Sequence, residues 1–345
     1  MRVLFDVSHP AHVHLFKHAV RELEADGHDV RVLSREKEVT TDLLDAEGIE
    51  HDVLSTKGDS PLGLVREWVG REVRVVRAAR SFDPDVVVSR LNPAAVHAAR
   101  LVGAKSIVFH DTEPAGALAK YTLPLADAVC TPDGFDEEWS DQRRYAGYQE
   151  LAYLHPSRFD PDPAVLRDAG VDVDEPYSVL RLVASDAHHD YGNATFSPEG
   201  KTGLVELLSD RGTVYTSVEG DGPVPEGAEP MPVPPEALHD LLYYADCYVG
   251  DSNTTAAEAG ILGTPALRYD TFGEGALHNF VELEEEYGLV HSTEDEQRLL
   301  GLTRSVVTHP DAAAARWREA RNRLLADKID VTGYMLDLVE LEGQR

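Results

Sequence analysis

Residues 245–269, ADCYVGDSNTTAAEAGILGTPALRY, carry the pattern that decides the fold. The apolar run 247–249 predicts a strand, and Gly250, Asp251 and Ser252 predict a turn. An Ala-rich segment follows and stops at Gly263-Thr264-Pro265, which predicts a helix. A strand, a turn and a helix in this order form the repeating unit of parallel α/β sheets.

The start of this helix is rich in small polar side chains. Ser252, Asn253 and Thr254 stand where backbone N–H groups have no partner within the helix and where the helix dipole is positive. Such a place suits a phosphate. Glu258 lies about one turn further along among small apolar residues, so it needs a backbone donor, a cation or the hydroxyls of a ribose. The alternative is ordinary capping by Ser252 and Thr254, with Glu258 as first-turn charge.

The motifs of this stretch also resemble a known signature. Asp251-Ser252-Asn253-Thr254, Glu258-Ala259 and Gly263-Thr264-Pro265 resemble the donor site of GT-B glycosyltransferases and of non-hydrolysing UDP-sugar 2-epimerases. Those families carry Asp-Ser-Gly-Gly, Glu-Ala and Gly-x-Pro. The resemblance implies that Ser252, Asn253 and Thr254 hold the diphosphate of a nucleotide-sugar and that Glu258 binds its ribose. Asn253 and Thr254 replace two glycines, the residues that allow the closest backbone approach.

The length of 345 residues fits two domains of roughly 150 residues each, and a hydrophobic content of 42% suffices for two cores. No apolar run is long enough for a transmembrane segment, and the chain enters strand-like sequence at once. We therefore expect a cytoplasmic protein, and we leave peripheral membrane contact and the oligomeric state open.

The charge balance is strongly acidic, with 62 acidic against 32 basic residues and a net charge of -30. Acidic residues spread this evenly indicate a surface adapted to molar salt, as in halophilic archaea, because such salt screens the self-repulsion. A merely acidic mesophilic protein is the alternative. Nucleic acid is not an expected partner, since no basic stripe is present. Cys130 and Cys247 lie in apolar runs without CxxC spacing and are expected in the core.

Strand and helix patterns alternate along the whole chain, which predicts an α/β protein with doubly wound parallel sheets. Predicted strands are 2–7, 29–33, 52–55, 85–89, 105–110, 128–131, 178–184 and 213–218. Predicted helices include 40–46, 62–80, 93–102, 115–125, 203–210 and 237–244. We expect a Rossmann-like acceptor domain at 1–150, a Pro-rich linker at 151–163 and a Rossmann-like nucleotide-sugar domain at 164–325. Residues 326–345 would form a helix that packs back on the first domain. Two such domains facing a central cleft form the GT-B arrangement.

The first strand-to-helix turn contains His9, His12 and His14, followed by His18. These histidines admit three interpretations: a zinc site, packing at the helix start, or a catalytic group. We predict no metal, because HExxH and nearby Cys or carboxylate ligands are missing. His12 is the candidate general base, since imidazole titrates near neutral pH.

Resemblance also extends to this turn and beyond it. Residues 8–13 take the place of the Gly-Gly-His-Val loop of the lipid II N-acetylglucosaminyltransferase, whose histidine lies by the acceptor. The longer opening D-x-[ST]-[HN]-P-x-H-V-H-x-F-K, together with Tyr153-Leu154-His155-Pro156, resembles an archaeal and bacterial GT-B-like family of unknown function. This resemblance covers nearly the whole chain.

Two more candidate sites follow predicted strands. Asp111 and Glu113 come after the strand at 105–110, and either could instead serve as helix-capping charge. In the 2-epimerases a His-x-Glu-Ala-Gly stretch at this place supplies an acid/base carboxylate, which makes Glu113 comparable. Arg181 lies in an apolar strand and needs an anion, either a diphosphate or an internal carboxylate. The epimerases carry a histidine-rich loop next to it, which implies a diphosphate contact for His188.

These features predict a metal-independent glycosyltransferase that uses a nucleotide-diphosphate sugar, with UDP as the expected nucleotide and a sugar or lipid-linked acceptor. No tightly bound cofactor is expected. A UDP-sugar 2-epimerase that uses Asp111 and Glu113 is the alternative enzyme. A nucleotide-sugar binding protein without catalysis is the third hypothesis, because of the replaced glycines.

Overall fold

The computed structural model describes residues 1–56, 61–111, 116–182, 196–218, 222–270 and 278–344. The chain divides into two compact units. The N-terminal unit comprises Met1–Phe159 and Lys328–Arg345, and the C-terminal unit comprises Asp160–Asp327. Each unit has its own parallel sheet, so each has its own core.

The N-terminal unit contains a seven-stranded sheet in the order β3-β2-β1-β4-β5-β6-β7. Its strands are β1 (Arg2–Val7), β2 (Asp29–Glu36), β3 (His51–Thr56), β4 (Val86–Arg90), β5 (Lys105–Phe109), β6 (Ala128–Pro132) and β7 (Gln142–Tyr145). Its helices are α1 (Pro10–Ala25), α2 (Thr40–Ala46), α3 (Pro61–Phe82), α4 (Pro93–Val102), α5 (Gly116–Thr122), α6 (Leu151–Leu154) and α14 (Val331–Gly343). The chain reverses its direction across the sheet between β1 and β4, and ligands of such sheets collect at the carboxyl ends of the strands there.

The C-terminal unit contains a six-stranded sheet in the order β10-β9-β8-β11-β12-β13. Its strands are β8 (Tyr177–Leu182), β9 (Thr213–Val218), β10 (Glu229–Pro230), β11 (Cys247–Gly250), β12 (Ala266–Tyr269) and β13 (Val290–Thr293). Its helices are α7 (Pro163–Asp168), α8 (Pro198–Ser209), α9 (Leu238–Tyr244), α10 (Asn253–Leu262), α11 (His278–Val281), α12 (Glu296–Thr308) and α13 (Pro310–Asp327). The reversal lies between β8 and β11, so the turn from β11 to α10 stands beside it.

The central strands of both sheets are buried on both faces, which explains their continuous apolar runs. In β1 the residues from Val3 to Val7 are all buried, and in β11 all four residues are. The predicted α/β fold with two doubly wound Rossmann-like sheets is confirmed. Cys130 and Cys247 are free and buried, as predicted.

Some elements differ from the sequence prediction. The edge strands β7 and β13 carry few apolar residues and were missed, because an edge strand needs no continuous apolar run. The segment predicted as a linker contains the short buried helix α6, and the boundary between the units falls after Phe159. Helix α14 belongs to the N-terminal unit, where it packs near α1 and α6. In the described part of the chain, no helix has both the length and the apolar character needed to cross a bilayer.

Candidate functional site

The turn between β11 and α10 forms a helix start that an anion can reach. Ser252 is the N-cap, with extended backbone angles, and its hydroxyl accepts from the Thr255 amide. Ser252 and Asn253 are half-buried, and Thr254 is exposed. The amides of Asn253 and Thr254 precede the first intrahelical hydrogen bond, so they and the positive helix end suit a phosphate. Capping by Ser252 and anion binding by these amides are therefore compatible.

Gly250 allows this turn to form, because a side chain there has no room. A Cβ atom on Gly250 would lie 2.3 Å from the Arg181 carbonyl oxygen and 2.6 Å from the Tyr248 hydroxyl oxygen. Tyr248 is fully buried, and its hydroxyl donates to the Ser252 carbonyl at 3.2 Å. A buried tyrosine beneath the turn thus fixes the backbone of the helix cap.

Arg268 is a buried arginine that holds the first residue of α10 and that the sequence analysis did not single out. Its guanidinium donates to Asn253 Oδ1 at 2.7 Å and to Ser292 Oγ at 2.9 Å. It also donates to both carboxylate oxygens of Asp270, at 3.3 and 2.9 Å, and lies 4.1 Å from the centre of the Phe280 ring. The side-chain amide of Asn253, which stands at the position of a signature glycine, is therefore held by the guanidinium of Arg268. The signal in the sequence was an arginine within an apolar strand, the same signal that identified Arg181.

Arg181 and Arg268 lie on either side of the turn. Arg181 in β8 and Arg268 in β12 are both paired in register with Gly250 of β11, and Arg268 is paired in turn with Ser292 of β13. Arg181 is half-buried, and its Nη1 lies 3.5 Å from Ser217 Oγ. Two guanidinium-bearing side chains therefore start from the strands that border the helix start. The charge of Arg268 is balanced by Asp270, whereas the helix amides and the guanidinium of Arg181 suit a diphosphate.

Glu258 has a protein partner that the sequence did not reveal. It is 4% exposed within a helix whose residues from Thr255 onward are all buried, and its Oε1 lies 3.1 Å from Nε2 of His239 in α9. His239 is itself 3% exposed. Because a carboxylate accepts, Nε2 of His239 carries the proton. The imidazole fixes the orientation of this carboxylate, and ribose binding by Glu258 stays a prediction.

In the N-terminal unit, His12 lies at the start of α1, beside the carboxyl end of β1. The Ser8 amide donates to His12 Nδ1 at 3.3 Å, so the proton of the neutral ring is on Nε2. Burial lowers the pKa of His12 well below its usual value, and the positive charge of Arg90 lowers it further. In this state Nε2 is a hydrogen-bond donor. The arrangement is poor for a general base and good for a donor to a ligand oxygen.

His9 caps α1, and its ring Nδ1 accepts from the Ala11 amide at 3.2 Å. Burial and the charge of Lys37 lower the pKa of His9 to about 4. His14 is buried and its ring lies 5.2 Å from that of Tyr153, as the packing interpretation expects. Within the described ranges, no group of three or more His, Cys, Asp or Glu side chains is placed to hold a metal ion.

Asp111 lies just beyond β5, where it forms an ion pair with Arg90 at the end of β4. Both side chains are less than one-fifth exposed. The charge of Arg90 acts on both His12 and His9, so these residues gather at the carboxyl edge between β1 and β5. Beside them, the fully buried Asp6 accepts from Arg71 at 2.5 and 3.3 Å. None of these partners of His12 and Asp111 was identified from the sequence.

His110 and Tyr145 bring further polar groups to this edge. His110 is 1% exposed, and burial lowers its pKa to about 4, with Asp111 acting in the opposite direction. The Tyr145 hydroxyl is also buried, and burial together with the charge of Asp111 raises its pKa. Among the described residues, neither His110 Nε2 nor the Tyr145 hydroxyl has a hydrogen-bond partner. Glu113 and His188, the other two predicted site residues, lie outside the described residues.

Residues 1–299 match the family described as "Protein of unknown function (DUF354)". The chain belongs to this family. The membership confirms the resemblance seen in the opening of the sequence. A curated relative, an uncharacterized protein of Methanocaldococcus jannaschii, is 22% identical over 277 residues, which cover 77% of this chain and 80% of the relative.

Two solved structures illustrate the fold of this family member. The glycosyltransferase VinC in complex with dTDP is 15% identical, covers 100% of both chains and has a TM-score of 0.67. The UDP-GlcNAc 2-epimerase from Methanocaldococcus jannaschii is 13% identical and has a TM-score of 0.63, and the match covers 88% of this chain and 91% of the epimerase chain. At these identities the similarity shows a fold shared with GT-B glycosyltransferases and UDP-GlcNAc 2-epimerases.

Proposed function

We propose that this protein is a metal-independent glycosyltransferase that takes its sugar from a nucleotide-diphosphate sugar. The observation that carries the proposal is the start of α10. Open amides at Asn253 and Thr254 stand between strands that bear Arg181 and Arg268, and the carboxylate of Glu258 lies further along the same helix. This set of groups offers donors to a diphosphate and an acceptor to ribose hydroxyls.

The proposed reaction needs no metal or bound cofactor, because the helix amides and the guanidinium of Arg181 neutralise the leaving group. The bond between the sugar's anomeric carbon and the diphosphate oxygen breaks, and the nucleoside diphosphate keeps the electron pair. The acceptor oxygen forms the new bond to the anomeric carbon and gives up its proton. Because Nδ1 of His12 accepts from the Ser8 amide and Nε2 carries the proton, His12 has no nitrogen available to take this proton. Asp111 is therefore the better candidate base among the described residues, while Nε2–H of His12 donates to a ligand oxygen.

A UDP-sugar 2-epimerase is the second candidate. The observation that favours it is the cluster at the end of β5, where Asp111 pairs with Arg90 beside the buried imidazole of His110. The fold shared with the archaeal 2-epimerase is compatible with this candidate as well. Both candidates need the same binding site for a nucleotide diphosphate.

A charge placed at the helix start tests the shared site. Thr254→Glu adds a negative side chain to the first turn of α10, where it favours the helix but repels a phosphate. A unit charge about 6 Å from a phosphate at an effective dielectric of 20 changes the energy by roughly 2 to 3 kcal/mol, so we expect UDP to bind at least about tenfold more weakly. The matched control is Ala312→Glu, an exposed first-turn position of α13.

The measurement is isothermal titration of the full chain with UDP and with dTDP. Equal nucleotide affinities of the native chain and Thr254→Glu would exclude α10 from the binding site. If neither UDP nor dTDP bound at millimolar concentration, the proposal would be refuted. Incubation with UDP-N-acetylglucosamine without acceptor then separates the reactions. A C2 epimer seen by NMR supports the epimerase, whereas slow release of UDP supports a transferase that uses water in place of its acceptor.

A further inference from the structure

Helices α3, α4 and α5 lie side by side on one face of the N-terminal sheet. Each of these helices connects one strand to another strand that lies nearer β7 in the sheet. Because crossovers between parallel strands are right-handed, crossovers that all move towards the same edge place their helices on the same face. Val75 and Ala79 of α3 share a core cluster with Ala95 of α4. Val96 of α4 shares another cluster with Ala119 of α5. We call the exposed side of these three helices the α3–α5 face.

The α3–α5 face is basic on an acidic chain. Residues 67–82, 93–102 and 116–122 contain six Arg or Lys against two Glu, while the whole chain has a net charge of -30. Both glutamates already have partners: Glu67 accepts from Arg35 at 2.7 Å, and Glu72 lies 2.7 Å from His97. Five of the six basic side chains are exposed and form no ion pair with any residue in the described ranges: Arg74, Arg77, Arg80, Arg100 and Lys120.

The same face exposes large apolar side chains. Trp68 is 59% exposed, and Tyr121 is 80% exposed. The other exposed members are Val69, Val73, Leu101 and Leu118. Together these six are nearly half of the thirteen large hydrophobic residues that are exposed in the described part of the chain. An apolar surface of this density, bordered by positive charge, marks a site of interaction.

Charge and composition together select the partner. A second copy of the chain that used the same face would bring arginines against arginines, which disfavours a symmetric dimer. A nucleic acid would satisfy the charges but would leave the exposed Val and Leu side chains without a role. A bilayer surface with anionic lipids offers phosphates to arginine and lysine, an interface for Trp and Tyr, and acyl chains for Val and Leu.

We propose that the α3–α5 face docks this protein on the surface of membranes that contain anionic lipids. The acidic residues on other faces do not prevent docking, because charges further than about 10 Å are screened at 0.1 M salt. The proposal stands apart from the enzymatic function, since it requires neither nucleotide nor acceptor.

The experiment is co-sedimentation of the full chain with vesicles of phosphatidylcholine alone or mixed with phosphatidylglycerol, at the lowest salt concentration that keeps the chain folded. We expect binding to the mixed vesicles and little binding to phosphatidylcholine alone. Each arginine near an anionic surface strengthens binding roughly fivefold, so the triple variant Arg74→Gln, Arg77→Gln, Arg80→Gln should bind roughly a hundredfold more weakly. The variant replaces exposed side chains only, and an unchanged melting temperature confirms its fold.

The matched control removes three exposed arginines from the C-terminal unit: Arg298→Gln, Arg304→Gln and Arg318→Gln. It changes the net charge equally and should keep native binding. Trp68→Ala distinguishes a membrane from a merely anionic partner, because the loss of an inserted ring weakens binding to vesicles but not to soluble polyglutamate. Three results would each overturn the proposal. The first is no binding to the mixed vesicles, and the second is an equal loss of binding in both triple variants. The third is binding to polyglutamate as strong as binding to vesicles, with Trp68→Ala changing neither.

Discussion

The contact between His239 and Glu258 offers the sharpest test of how the proposed ribose site is held. His239→Phe removes the imidazole donor at similar size, His239→Gln keeps an N–H donor near the position of Nε2, and Glu258→Gln removes the charge. All three side chains would lie in a buried space, since the native residues are 3% and 4% exposed. Each variant therefore changes a hydrogen bond that water cannot easily replace.

The magnitude follows from the 3.1 Å hydrogen bond to a charged acceptor. Losing such a bond in a buried place lowers the free energy of unfolding by about 2 kcal/mol, so His239→Phe should lose that amount. Glu258→Gln keeps an acceptor for the imidazole and should lose about 1 kcal/mol. With an amide in place of the carboxylate the donor contributes about half as much, so the double variant should lose about 2 kcal/mol rather than about 3, a coupling of about 1 kcal/mol.

Urea unfolding measures the stabilities, and titration with UDP measures the site. We expect His239→Phe to weaken UDP binding about tenfold and His239→Gln to bind UDP within about threefold of the native chain. Only His239→Phe removes the donor that orients the Glu258 carboxylate. Glu258→Ala, which removes the carboxylate, should lose about 2 to 3 kcal/mol of binding. A folded His239→Phe variant with native UDP affinity, or additive stability losses, would refute this account of Glu258.

Further predictions concern the other groups of the two sites. Asn253→Gly should free the helix start from its dependence on Arg268, so Arg268→Gln should weaken UDP binding at least about threefold more in the native background than in Asn253→Gly; equal effects in both would contradict the role of this contact. His12→Ala should leave UDP binding unchanged and slow turnover by roughly a hundredfold, because the Nε2–H donor to the ligand oxygen is lost, and full turnover would exclude His12 from catalysis. Acid should destabilise the N-terminal unit through His110, whose pKa falls from 6.5 to about 4 on folding. The unfolded chain binds this proton more readily, so stability is lost as pH falls from 6.5 towards 4, by about 2 kcal/mol between pH 7 and pH 5. His110→Gln should reduce this slope in urea unfolding at several pH values, and an unchanged slope would contradict the shift.

Much of the fold follows from local patterns. The apolar runs at β1 and β11 are long enough to predict central strands, and Gly263 ends α10 with a left-handed backbone, φ 87°, as the stop signal predicts. The polar edge strand β7 escaped prediction because its hydrogen bonds to β6 hold it in place, and pairing partners are not visible in a local window.

The candidate site divides in the same way. The polar helix start at Ser252 and the carboxylate of Glu258 are readable from sequence because capping and helical spacing are local rules. The contacts of Arg268 with Asn253 and of His239 with Glu258 join residues 15 and 19 positions apart, on different elements. No spacing rule connects them.

The sequence by itself determined the alternation of strands and helices, the chemistry of the helix start and the acidic balance of the chain, because each depends on neighbours along the backbone. Only the tertiary structure decided which donor orients Glu258, which nitrogen of His12 carries its proton and which helices gather the exposed arginines into one face. These properties arise when distant segments pack together, since hydrogen-bond partners and shared surfaces are set by distance in space.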